Sequence, residues 1–175
     1  MLSVPSLESH LGRSTFQPVV DALKPLANAG YLTTYSNGVL TESAITVVGS
    51  GNTPLDQVQA MSPRTVFFDA PLDSLTSSST QYTSIVSPLA SADFGSTIGW
   101  LGILPISSSQ RSTIKEWFGD AHSRGIKARF WDTPDYLVPV MEQIWGELLN
   151  DGEDWLNVDH LTDAKNYYTA WLADQ

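Results

Sequence analysis

Charged, polar and aromatic side chains follow several short apolar runs, most clearly in the stretches KARFWDTP and WLNVDHL. Arg129 and Trp131 alternate, so on a strand they share a face. An arginine there suits a phosphate oxygen, and a tryptophan at the rim packs on a ligand. Each nearby carboxylate can line a site or cap the helix that follows it. The predicted substrate-site residues are Asn52, Asp69, Arg129, Trp131, Asp132, Asn157 and Asp159, and no residue is given a catalytic role.

The elements that position these residues alternate between strands and helices. Apolar runs rich in β-branched and aromatic residues predict strands, and apolar residues at i, i+3 and i+4 predict helices. This alternation predicts an α/β fold with a mostly parallel sheet, whose strands carry polar residues at their carboxyl ends. The apolar residues of segment 1–14 show no regular period, which predicts an irregular lead-in before the first helix. Residues 31–39 predict a turn-rich connection. The strands are predicted at 44–49, 64–70, 85–90, 127–131 and 155–158, and the helices at 16–28, 54–61, 107–123, 135–150 and 162–173.

The turn Gly49-Ser50-Gly51-Asn52 lies between a predicted strand and a predicted helix. Backbone N–H groups in such a glycine-rich turn can cradle a phosphate. A tight turn that only glycine can adopt explains the same residues. Neither a G-x-G-x-x-G nor a Walker pattern is completed here, so both interpretations stay open.

Charge and composition exclude several classes of protein. The 175 residues carry a net charge of −10, which argues against nucleic acids and anionic membrane surfaces as partners. The absence of cysteine excludes disulfides, thiolate nucleophiles and cysteine-based zinc sites, and it does not indicate a compartment. The sequence contains no apolar run of membrane-spanning length, and the N-terminal residues lack the pattern of a signal peptide.

Five segments carry a family resemblance. In chain order they are ITVVGSGN, FFDAPL, SPLASADF, AHSRGIKARFWDTP and LNVDHL. Together they resemble the C-terminal half of the fungal altered inheritance of mitochondria protein 6 family, which is similar to PLC-like phosphodiesterases with (β/α)₈ barrels. The resemblance covers about residues 16–172. It implies an α/β fold that is the C-terminal half of a TIM-type (β/α)₈ barrel, with residues 1–175 as a single partial PLC-like phosphodiesterase domain.

The resemblance also implies an activity, the hydrolysis of lipid-type phosphodiesters. Such a reaction uses a divalent cation, Mg²⁺ or Ca²⁺, together with two histidines. The family's histidine and Glu-x-Asp motifs are not found in this sequence, and His160 stands where the family usually has a second aspartate. We therefore expect the chain alone to be inactive and not to bind the cation by itself.

A non-catalytic role is the alternative to this enzyme class. In that case the chain is an α/β domain or a truncated product that acts by binding or self-association. A flavodoxin-like module is a third interpretation, which the order of the five segments disfavours. The expected partners are a phosphodiester small molecule or a lipid head group. Because a half-barrel leaves strand edges open, self-association or pairing with the other barrel half is also expected.

Overall fold

The structure is a computed structural model that describes residues 2–4, 15–75 and 80–174. Strands and helices alternate along it, as the sequence predicts for an α/β protein. The chain divides into two compact units: the first comprises Met1–Ala70 and Thr80–Leu89, and the second comprises Pro71–Ser79 and Ala90–Gln175. None of the helices in the described ranges is long and apolar enough to cross a membrane.

The first unit contains a small parallel sheet. Its elements are β1 (Leu2–Val4), α1 (Phe16–Asn28), β2 (Thr34–Ser36), β3 (Val39–Thr41), β4 (Val47–Gly49), α2 (Leu55–Ala60) and β5 (Val66–Pro71, whose last residue is assigned to the second unit). β4 pairs in parallel with β1 and with β5, so that Val47 lies opposite Leu2 and Val66. All three residues of β4 are buried, which explains the continuous apolar run from which a strand is predicted here.

The irregular conformation predicted for residues 1–14 is wrong for residues 2–4, which form β1. β1 exists because β4 offers its backbone as a hydrogen-bonding partner. A strand of three residues is too short to show a hydrophobic period of its own. Residues 5–14 of the predicted lead-in lie outside the described residues.

The turn predicted within residues 31–39 joins the two strands of a hairpin. β2 and β3 pair antiparallel, with Thr34 opposite Thr41 and Ser36 opposite Val39. Asn37 and Gly38 connect them with φ angles of 50° and 81°. Two successive positive φ angles define the type I′ turn that asparagine-glycine pairs favour.

The second unit places its helices around two neighbouring strands. Its elements are a 3₁₀ turn at Leu72–Ser74, β6 (Leu89–Asp93, whose first residue is assigned to the first unit), α3 (Phe94–Thr97), α4 (Ser108–Ser123), β7 (Lys127–Trp131), α5 (Val138–Asp151) and α6 (Leu161–Ala173). β6 and β7 are hydrogen-bonded neighbours. The start of α4 is confirmed by a capping box, in which Ser107 and Gln110 each accept a hydrogen bond from the other's backbone N–H.

β7 has the bounds that the sequence predicts, and its two faces differ. Ala128 and Phe130 are buried. The ring of Phe130 packs 5.3 Å from that of Phe94 and 5.5 Å from that of Phe118, measured between centroids. The side chains of Arg129 and Trp131 therefore lie on the opposite face, as the alternation predicts.

The strand predicted at 85–90 is displaced toward the C-terminus. Val86 and Ser87 form a turn in which both N–H groups donate to the carbonyl of Thr83. Pro88 has no N–H to contribute to a ladder, so β6 begins only at Leu89, after the proline.

The strand predicted at 155–158 is wrong. These residues are irregular in the structure. The alternating apolar side chains of Leu156 and Val158 pack against Met141, Trp145 and Ala164 of α5 and α6. The apolar residues that suggested a strand here are buried by packing on helices.

Candidate functional site

Asp132 follows β7 directly and adopts a φ angle of +57°, in the left-handed region. This conformation ends the strand abruptly and turns the Asp132 carboxylate toward Gly95 in α3. A Cβ atom added at Gly95 would lie only 2.9 Å from Asp132 Oδ2. Glycine at position 95 therefore leaves the space that the carboxylate uses.

Asp132 is one wall of a cavity of about 100 Å³ in the second unit, which we call the β7 cavity. Met141 and Trp145 of α5 contribute its buried part. Of the predicted site residues, the structure brings Asp132, Asn157 and Asp159 together here. The remaining lining residues are Thr133, Pro134, Asp135, Val158 and His160.

The β7 cavity is acidic. Asp132, Asp135 and Asp159 are all exposed carboxylates, and His160 is the one lining side chain that can become a cation. Asp135 was not predicted as a site residue, because it falls in the predicted helix 135–150. The helix starts only at Val138, so residues 133–137 form an irregular segment along the cavity.

The carboxylates of the β7 cavity do not form a metal site by themselves. Within residues 2–4, 15–75 and 80–174, no group of three or more His, Asp or Glu side chains is placed to hold a metal ion. A divalent cation needs several oxygen ligands around it at once. The residues described here therefore do not fit such a cation without further ligands.

Arg129 and Trp131 lie beside the cavity on β7 and do not line it. Arg129 is half-buried, and its Nε donates a hydrogen bond to Ser91 Oγ on β6 at 3.1 Å. Trp131 is 42% exposed. The hydrogen bond to Ser91 joins the Arg129 side chain of β7 to β6.

Asp69 and Asn52 belong to the first unit. Asp69 was predicted at the tip of a strand, but β5 continues to Pro71, so Asp69 lies half-buried within the strand between Phe68 and Ala70. Asn52 is exposed in the turn before α2.

The glycines of the turn beside Asn52 have a steric explanation. A Cβ atom at Gly49 would lie 2.6 Å from Thr53 Oγ1, and Gly51 has a φ angle of +61°. Both positions thus require glycine for the turn itself.

Glu153 is a buried carboxyl that the sequence does not single out, because it lies in the acidic run DGED after a helix. It is only 6% exposed, and its Oε1 accepts a hydrogen bond from the Phe130 N–H at 2.6 Å. Burial raises the pKa of Glu153 to about 8, against the smaller opposing effects of the Phe130 N–H and the Arg129 charge.

The neighbouring Asp154 is held in its charged form. Burial acts to raise the pKa of Asp154, but hydrogen bonds from the Ala128 N–H and from His122, together with the charges of His122 and Lys127, leave it below its ordinary value. His122 Nε2 lies 2.8 Å from Asp154 Oδ2. His122 is exposed, and the sequence analysis does not predict this contact.

Comparisons with known proteins point to one family. A family profile described as an AIM6-like phosphodiesterase domain matches residues 8–69. The chain is 32% identical over 161 residues to an altered inheritance of mitochondria protein 6 homolog of Arthroderma benhamiae, which covers 90% of this chain and 50% of that relative. It is 33% identical over 159 residues to altered inheritance of mitochondria protein 6 of Eremothecium gossypii, covering 84% of this chain and 41% of that relative.

A third relative, altered inheritance of mitochondria protein 6 of Candida glabrata, is 27% identical over 157 residues, covering 79% of this chain and 38% of that relative. The chain thus spans half or less of the length of these curated relatives. No solved structure matches the chain.

Proposed function

Because this chain belongs to the altered inheritance of mitochondria protein 6 family, we propose that it is the substrate-binding part of a PLC-like phosphoric diester hydrolase. In this proposal its fold is the C-terminal half of a TIM-type (β/α)₈ barrel, and its ligands are lipid-type phosphodiesters or their head groups. The observation that carries the proposal is the β7 cavity, where Asp132, Asn157 and Asp159 converge beyond the carboxyl end of β7. Barrel enzymes keep their chemistry at that end of their strands.

The cavity has groups that complement a head group with hydroxyls. The carboxylates of Asp132 and Asp159 can each accept hydrogen bonds from an alcohol, and the Asn157 amide can donate one to an ester oxygen. Arg129, on β7 beside the cavity, suits a phosphate oxygen because its guanidinium binds oxyanions through two parallel donors. Trp131 at the rim can pack on the organic part of the ligand.

The same cavity does not supply the proton transfers of hydrolysis. Acid–base cleavage of the implied kind needs two proton-transferring groups at the ester. Among the described residues, His160 is the one histidine that lines the cavity. The carboxylates also repel an anionic diester unless a cation offsets them, and they do not fit a divalent cation by themselves. We therefore propose that the isolated chain binds without turnover, which is the behaviour of the non-catalytic alternative.

The test is a titration of the ¹⁵N-labelled chain with glycerophosphocholine, followed by NMR. We expect shifts of the backbone amides of residues 132–135 and 157–160, and their loss in Asp132→Asn. Asp56→Asn is the matched control, because Asp56 is an exposed aspartate on α2 in the other unit. Shifts that are absent in the wild type, or equally large in Asp132→Asn, would overturn the proposed binding site.

Turnover is measured on the same samples with bis(p-nitrophenyl) phosphate and glycerophosphocholine, with Mg²⁺ or Ca²⁺ and then with EDTA. No turnover above the buffer is expected. Hydrolysis that EDTA abolishes would contradict the inactive assignment and support the enzyme class for the chain alone.

A further inference from the structure

β7 has one strand neighbour among the described residues, β6, and two backbone N–H groups on its other edge bond to side chains. The Ala128 N–H donates to Asp154 Oδ2 at 2.8 Å. The Phe130 N–H donates to Glu153 Oε1 at 2.6 Å. We call Glu153 and Asp154 the edge carboxylates, because their oxygens occupy the positions that carbonyls of a next strand would take.

A parallel ladder begins at this edge and stops after one bond. The Asp154 N–H donates to the Ala128 carbonyl at 3.2 Å, which is the first bond of a parallel pairing. In a parallel ladder the next bond would run from the Phe130 N–H to the Asp154 carbonyl. That donor is already taken by Glu153 Oε1, so the Glu153 side chain stands where the pairing would continue.

The residues that follow have the pattern of a strand and do not form one. Leu156, Asn157, Val158 and Asp159 alternate in polarity, but Leu156 and Val158 pack on α5 and α6. This placement brings Asn157 and Asp159 to the β7 cavity. If these residues paired with β7, their side chains would follow the pleat of the sheet instead.

We propose that Glu153 is a positioning residue whose side chain keeps Trp155–Val158 off the edge of β7 and thereby holds Asn157 and Asp159 at the β7 cavity. The diversion of the chain stands on the hydrogen bonds alone. Its importance for ligand binding rests on the function proposed above.

The charges around Glu153 make this arrangement sensitive to pH. Arg129 on β7 and the adjacent Asp154 act on Glu153, and Asp154 itself lies 2.8 Å from His122 of α4 and 3.6 Å from Lys127 of β7. Glu153 Oε2 has no hydrogen-bond partner among the described residues. A carboxyl in this setting is neutral at pH 7, since burial raises its pKa to about 8. Its ionised form at higher pH favours leaving the buried position.

The experiment compares Glu153→Met with Glu153→Gln by NMR at pH 7. Glutamine keeps a carbonyl oxygen for the Phe130 N–H, whereas methionine has a similar length and no comparable acceptor. In Glu153→Gln we expect residues 155–158 to keep irregular backbone chemical shifts. In Glu153→Met we expect strand-type shifts there and at least a tenfold slower hydrogen exchange of the Leu156 amide.

A folded Glu153→Met chain with unchanged residues 155–158 would overturn the proposal, and so would a Glu153→Gln chain that changes equally. If Glu153→Met does not fold, the wild type decides. Its Asn157 and Val158 amides should shift as the pH rises, with a midpoint near 8 that Glu153→Gln lacks. A wild-type segment that shows no such transition also overturns the proposal.

These measurements separate the positioning role from the proposed function. Failure of the function appears as a wild-type chain that does not respond to glycerophosphocholine, while the backbone shifts of residues 155–158 still report on Glu153. Failure of the positioning role appears as an unchanged segment in Glu153→Met, in a chain whose wild type binds the ligand. Where both hold, Glu153→Met should weaken ligand binding several-fold and Glu153→Gln should not.

Discussion

Two groups of carboxylates adjoin β7, and their surroundings give them opposite roles. Asp132 and Asp159 in the β7 cavity are exposed and can reach a ligand. The edge carboxylates, Glu153 and Asp154, are bonded to the backbone N–H groups of Phe130 and Ala128. In the proposed function the same chemical group binds a ligand in the β7 cavity, whereas at the edge of β7 it accepts hydrogen bonds from the backbone. What differs is whether unpaired backbone donors lie within reach, because a buried N–H must find an acceptor.

The largest effect expected from this contrast is on the pH dependence of stability. The pKa of Glu153 is raised by burial from its ordinary 4.5 to about 8, so between these values the native chain binds a proton that the unfolded chain has lost. The free energy of unfolding should therefore fall as the pH rises through this range, by up to about 1.4 kcal/mol per pH unit, and level off above it. Urea unfolding of the wild type and of Glu153→Gln at several pH values checks this.

Glu153→Gln should lose this dependence because its side chain does not titrate. Asp154 contributes in the opposite sense: its pKa is lowered, so its stabilisation is present at neutral pH and is lost as the pH falls through its native pKa. If both chains respond identically to pH above about 5, Glu153 is not buried in its neutral form.

The next largest effect is a loss in the free energy of unfolding when one carboxyl is removed from each group. Glu153→Ala leaves the Phe130 N–H without its acceptor and opens a cavity, so we expect a loss of about 2–4 kcal/mol in the free energy of unfolding at pH 7. Asp159→Ala removes an exposed carboxyl, and its effect should stay within about 0.5 kcal/mol. Urea denaturation of both variants measures the difference, and equal losses would remove the distinction between the two groups.

A smaller effect, on ligand binding at the β7 cavity alone, is expected from a substitution beside Asp132. Gly95→Ala places a Cβ 2.9 Å from Asp132 Oδ2 and must displace that carboxylate. We expect the glycerophosphocholine-induced amide shifts at residues 132–135 to weaken several-fold, with a change in stability of about 1 kcal/mol or less.

Gly119→Ala on α4 is the matched control, because a Cβ there meets nothing within 4 Å. It should raise stability by about 0.5–1 kcal/mol, since alanine is the better helix former, and it should leave ligand binding unchanged. A ligand response that Gly95→Ala preserves would show that the position of Asp132 does not matter for binding.

The smallest effect on the free energy of unfolding is expected from His122, which contacts Asp154 of the edge carboxylates. His122→Ala removes one contact of Asp154 and leaves the Ala128 N–H and Lys127 in place. Because His122 is exposed, the loss should be below about 1 kcal/mol and should shrink in high salt. Thermal unfolding at low and at high ionic strength tests this. A loss as large as that of Glu153→Ala would mean that His122 is needed to keep Asp154 bonded to the Ala128 N–H.

Local signals were enough for much of the fold. α1 spans Phe16–Asn28 and β7 spans Lys127–Trp131, as the hydrophobic periods predict. α5 ends at Asp151, close to its predicted end at residue 150, and the following Gly152 has a φ angle of +109°, which is typical of a left-handed helix stop. In each case the apolar face of the element, or the residue that ends it, lies within the same short stretch of sequence.

The predicted site was recovered in part. Asp132, Asn157 and Asp159 do meet at one cavity, but Asp159 reaches it from an irregular segment and not from a strand end. Glu153 was missed because an acidic run after a helix is usually a solvated surface. Self-association through open strand edges stays a prediction, and at β7 two of the edge amides already have acceptors.

The sequence by itself determined the family, the alternation of strands and helices, and the place of Asp132 after β7. These follow from local order and composition, which a sequence states directly. Only the tertiary structure decided which carboxylates are buried and why Trp155–Val158 is not a strand. The hydrogen bonds from the Phe130 N–H to Glu153 and from the Ala128 N–H to Asp154 span 23 and 26 residues, and no local period encodes which distant side chain accepts from a backbone donor.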